Sequence, residues 1–118
     1  MQSLYWIFDS NIVQKIWMNY MSEYQNKAVR MLASTVGDES LMDLNDRRDA
    51  FLCRALELYF AAGGTEAAIK PMVEKVYSKN KPRVDIAVGD VLYKLAGIGH
   101  ACDIDIIQAG YNKLDDAK

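Results

Sequence analysis

Four aspartates bracket one apolar run in residues 85–105, DIAVGDVLYKLAGIGHACDID: Asp85 and Asp90 near its start, Asp103 and Asp105 at its end. Carboxylates one turn apart on adjoining helices can hold Mg²⁺, which takes hard oxygen ligands and can neutralise phosphate charge while preparing a water for attack. A second acidic stretch precedes them, with Asp49 and Glu57 flanking Cys53 and Arg54. Asp49 and Glu57 are eight residues apart, about 12 Å along a helix axis, and the thiol between them is a poor magnesium ligand. His100 is the single histidine. No nucleophile can be placed beside it from the sequence.

Chemistry of this kind needs helices to position it, and helices are what the chain encodes. Two prolines and seven glycines punctuate 118 residues, alternating β-branched patterns are nearly absent, and apolar residues recur at spacings of three and four. The expected fold is all-α, a single domain over residues 1–118 with about five helices. The first runs from an Asp9-Ser10-Asn11 cap to about Ser34, with Val13, Trp17, Tyr20, Tyr24, Ala28 and Met31 in one stripe, and Gly37 closes it. The second is most secure from Asp46 to Ala62 and ends at Gly63-Gly64. The third spans Thr65 to about Tyr77, with Pro71 either kinking it or marking its true first turn. The fourth covers Val84 to about His100, with Val88, Val91, Leu92, Leu95, Ile98 and Gly99 as the expected core face. The last begins near Asp103 or Asp105 and carries Ile106, Ile107 and Leu114.

Residues 88–114, VGDVLYKLAGIGHACDIDIIQAGYNKL, resemble the closing half of the MazG-like all-α nucleotide pyrophosphohydrolases. In that family an E-x-x-D motif opens an apolar helix, a Gly-Ile-Asp-like turn follows, and the next helix carries a lysine near its end. Asp90 matches the motif aspartate, Asp103-Ile104-Asp105 resembles the turn, and Lys113 matches the lysine. The resemblance implies a helical bundle completed by dimerisation or higher self-association. It also implies Mg²⁺-dependent hydrolysis of a nucleoside triphosphate to monophosphate and pyrophosphate. Under it Glu57 and Asp90 hold metal and Lys113 contacts phosphate.

The same resemblance calls for an E-E-x-x-E motif on the earlier helix. Its best placement is CRALE, residues 53–57, where Glu57 survives while Cys53 and Arg54 stand at the leading glutamate positions; Ala87 stands where the second motif has glutamate. Three of the five expected carboxylates are thus replaced. Arg54 suggests a substitute: its guanidinium can pair with Glu57 and Asp90 and take the cation's place as an internal salt bridge. The two functional expectations are therefore a divergent pyrophosphohydrolase with Mg²⁺, and a degenerate relative that binds a nucleotide or serves as a non-catalytic helical homo-oligomer, dimer or tetramer, for protein interaction or regulation.

Each of these residues also has a simpler role. Asp90 can form an i,i+4 pair with Lys94, worth about 0.3–0.5 kcal/mol, and Glu57 can be a solvated helix position. Asp103 and Asp105 suit N-caps, each worth about 1 kcal/mol. Cys53 and Cys102 read as buried small side chains, reduced in a cytoplasm, because neither belongs to a Cys-x-x-Cys unit. Trp17 or Tyr20 can stack on a base, although core or subunit contact is the commoner use of such a stripe.

Charge limits the partners. Fourteen basic and sixteen acidic side chains create no global field for nucleic acid, which is not an expected partner. A local excess lies at Lys70, Lys75, Lys79, Lys81 and Arg83 against Glu74, suited to a solvated surface or to phosphates. No apolar stretch reaches the ~20 residues that cross a bilayer, and Asp9 interrupts the apolar start before a signal peptide of ordinary length. The expected location is cytoplasmic, without membrane contact.

Overall fold

In a computed structural model, which describes residues 21–116, five α-helices and no strands are present among the described residues: α1 (Glu23–Leu41), α2 (Leu44–Ala61), α3 (Glu66–Tyr77), α4 (Val84–Ala101) and α5 (Ile106–Asp116). The all-α expectation holds at this level. The chain divides into two compact units, whose described residues are 21–38 with 107–116, and 39–106. No described helix is long and apolar enough to cross a membrane.

In the first unit, Ser22 opens α1 by accepting from the Gln25 amide at 3.1 Å, satisfying one of the orphan N–H groups of the first turn. Tyr24 of α1 meets Tyr111 of α5 edge to face, 5.3 Å between centroids, a favourable arrangement of ring quadrupoles. Lys27 lies 5.4 Å over the Tyr111 ring. Gly110 gives Tyr24 its room, since a Cβ there would stand 2.7 Å from the ring. Tyr24, Ala28 and Met31 of the predicted stripe are half-buried; Val13, Trp17 and Tyr20 lie outside the described residues. Gly37, at φ 84° and ψ 163°, breaks α1, a conformation for which glycine is the default.

The second unit holds α2, α3 and α4. Asp43 caps α2, accepting from the Asn45 and Asp46 amides at 2.9 and 3.4 Å. The helix thus begins two residues ahead of the stretch from Asp46 that the sequence marks as most secure, because Asp43 carries the capping oxygen. At its far end Gly63 adopts φ 96°, and two amide bonds, Gly64 to Tyr59 and Gly63 to Phe60, recover orphan carbonyls in a Schellman turn. Pro71 lies inside α3, not in its first turn.

The end of α4 repeats this device with a different residue. Asp103 takes φ 58° and is the left-handed residue that closes α4, with Ile104 N–H donating to the Gly99 carbonyl at 2.8 Å and Asp103 N–H to His100 at 3.3 Å. It is not the N-cap of the next helix, as the sequence suggested. Gly99 is the only buried residue of α4; a Cβ there would lie 2.6 Å from Ile106 Cγ2 and 2.8 Å from the Ile104 carbonyl oxygen. The rest of the predicted core face is largely exposed among the described residues. Val88, Val91 and Leu92 are 63%, 46% and 55% exposed, and only Leu95 is half-buried. Cys53 and Cys102 are exposed too, not buried as expected.

Candidate functional site

α2 brings a row of residues one turn apart, Phe51, Ala55, Leu58, Tyr59 and Ala62, opposite Val91, Leu95 and Ile98 of α4. Their spacing of three and four places each row on one helix face. Between the rows lies an apolar groove of about 530 Å³, whose charged residues are Arg54, Asp90 and Lys94. Two of the residues singled out in the sequence, Arg54 and Asp90, are therefore brought to one groove from different helices.

Arg54 is fixed by its own helix. Its Nη1 donates to both carboxylate oxygens of Glu57, at 2.9 and 2.8 Å, an i,i+3 pair that α-helical geometry makes neighbours. The hydrogen bond and then the charge of Glu57 hold the guanidinium pKa above its ordinary value. No ion pair joins Arg54 to Asp90 among the described residues, so the internal salt bridge includes Glu57 alone. The expected Asp90–Lys94 pair is also not formed. Lys94 instead lies 5.3 Å over the Tyr93 ring, a cation–π contact.

Glu57 does not line the groove, and both its oxygens already accept from Arg54. Among the described residues no three His, Cys, Asp or Glu side chains gather as a metal would need. Among the described residues, Glu57 and Asp90 have no third carboxylate, thiolate or imidazole gathered with them to complete a magnesium donor set. Lys113 lies in the last turn of α5, in the other unit, with its side chain exposed. His100 is exposed in the last turn of α4, and the basic segment from Lys70 to Arg83 is exposed throughout. Within that segment Arg83 pairs with Asp85 at 2.7 Å.

Phe51, Leu58 and Tyr59 form one groove wall, and sequence reasoning passed over them. Their signal lies in the i, i+4, i+7, i+8 spacing of apolar residues along α2. No family model, curated protein or solved structure matches this chain.

Proposed function

We propose that the chain is a non-catalytic helical module of MazG-like descent that works by association, as a homo-oligomer, and not by hydrolysis. The observation that carries this reading is the Arg54–Glu57 pair. At a position where the resemblance calls for a metal-binding glutamate, a guanidinium supplies a fixed positive charge and occupies both oxygens of the surviving carboxylate. Arginine stays charged and binds carboxylate through directed donors, so the pair fulfils the electrostatic need of Glu57 without a cation.

One observation favours a second reading, a divergent pyrophosphohydrolase acting on a nucleoside triphosphate with Mg²⁺. Asp90 lies on the groove beside Arg54 and Lys94, where a phosphate-bearing ligand would meet two cations. Release of pyrophosphate from a panel of standard and modified nucleoside triphosphates, with Mg²⁺ or Mn²⁺ present and absent, separates the two. The non-catalytic reading predicts no release under any condition. Metal-dependent turnover that disappears in Asp90→Asn would overturn it.

A further inference from the structure

α3 contributes no residue to the α2–α4 groove, and its apolar and charged residues fall into a pattern of their own. Ile69, Met72, Val73 and Val76 follow i, i+3, i+4, i+7 and so form one stripe along the helix. Ile69 is half-buried and lines a cleft with Leu56, Tyr59 and Phe60 of α2. Past that first turn the stripe stands out: Met72 is 50%, Val73 48% and Val76 63% exposed, with Tyr77 at 84%.

Cations border the stripe. At about 100° per residue, Lys70 lies to one side of it and Lys75 to the other, with Glu74 between them on the far face; Lys79, Lys81 and Arg83 follow in the loop. Residues 70–83 thus hold five cations against Glu74 alone, in a chain whose formal net charge is -2. Arg83 is engaged by Asp85 at 2.7 Å, whereas none of the four lysines has an ion pair among the described residues. Residues 1–20 and 117–118 carry Asp9 as their only acidic side chain, so they hold no charge to match four lysines.

An occupant of this surface must be anionic and must also take up the apolar stripe. Nucleic acid meets only the first requirement, because Tyr77 is the one exposed ring beside the stripe on which a base could stack. A directed carboxylate contact is the work of arginine, whose planar fork matches it, while lysine is a point charge on a flexible stem. Lysines beside an apolar stripe suit the diffuse charge of an anionic bilayer: their stems lie along the boundary, their ammonium groups reach the headgroups, and the stripe enters the headgroup–acyl region. A helix lying in that plane needs no span, so the lack of a described helix able to cross a membrane does not bear on it.

We infer that α3 and the loop to Arg83 form an interfacial site for bilayers of anionic phospholipid, with Met72, Val73 and Val76 toward the acyl chains and Lys70, Lys75 and Lys79 among the headgroups. The site goes beyond the association proposed above and uses neither Arg54 nor Glu57. It replaces the expectation of no membrane contact, which followed from the lack of a spanning run.

Co-sedimentation of the full chain with vesicles tests the site. The chain should pellet with vesicles of equal parts phosphatidylcholine and phosphatidylserine and stay in solution with phosphatidylcholine alone. Each lysine near an anionic surface is worth about five-fold in affinity, so Lys75→Gln with Lys79→Gln should weaken binding about 30-fold. The uncharged pair Met72→Gln with Val76→Gln should weaken it about 10-fold by removing the apolar contribution. All four positions are exposed and glutamine is a good helix former, so circular dichroism should show unchanged helix content. No pelleting with either vesicle, or equal pelleting with both, would overturn the site. Binding that the lysine pair weakens and the Met72 and Val76 pair leaves intact would also overturn it, as would single-stranded DNA that displaces the chain from the vesicles and binds the Met72 and Val76 pair undiminished.

Discussion

The two ends of the groove-forming helix α4 differ in what satisfies them. At its C-terminus Gly99 is buried, with Ile104 and Ile106 so close that no side chain fits, and the last carbonyls are taken up by the following turn. Along Val88 to Leu92 the same helix shows large apolar side chains to solvent, and Gly89 and Gly97 have open space where a Cβ would be. The described residues complete the helix turn and leave the helix face exposed. The difference teaches that local and tertiary requirements are met separately: the turn by neighbours in sequence, the face only by contacts that those neighbours do not supply.

Breaking the satisfied end should have the largest effect. Gly99→Val forces a branched side chain against the Ile104 carbonyl, and overpacking of this kind costs about 3 kcal/mol; thermal unfolding followed by circular dichroism should show a clear fall in Tm. Next comes the unsatisfied face. Ile98→Asp places a carboxylate in the groove; association through that face would bury it without a partner at a cost of several kcal/mol, and the dimer dissociation constant should then rise about 100-fold while helix content is retained.

Two smaller changes sharpen the contrast. Asp103 occupies the left-handed position that glycine fills at Gly63 in the matching turn after α2, so Asp103→Gly should stabilise by about 1 kcal/mol in chemical denaturation, through relief of backbone strain. Gly89→Ala should stabilise by up to about 1 kcal/mol through helix propensity alone, because nothing stands within 4 Å of the added methyl. A loss of stability there would mean that a group beyond the described residues approaches Gly89 closely.

Much of this contrast was legible in the residue order, and its limits are physical. Periodicity and the Gly63-Gly64 and SKNKP breaks gave α2 to α4 nearly their observed ends, because local propensity and breakers act over a few residues. Asp103 misled because a short polar side chain serves equally as a helix start or as a tolerated left-handed stop, and only the backbone angle decides. The apolar face from Val88 to Ile98 was recognisable as needing cover, but periodicity says that a face must be buried and not by which molecule. In the site, Arg54 and Glu57 could be paired from an i,i+3 spacing. The approach of Asp90 to the Arg54 groove depended on the register of two helices, which spacing within either helix leaves open.

Sedimentation equilibrium of the unaltered chain, over a concentration range spanning the micromolar, tests most directly whether the chain works by association. The predicted result is a reversible monomer–dimer equilibrium with the dimer dominant at the upper end. A chain that keeps its helix content and sediments as a monomer at every concentration would contradict it.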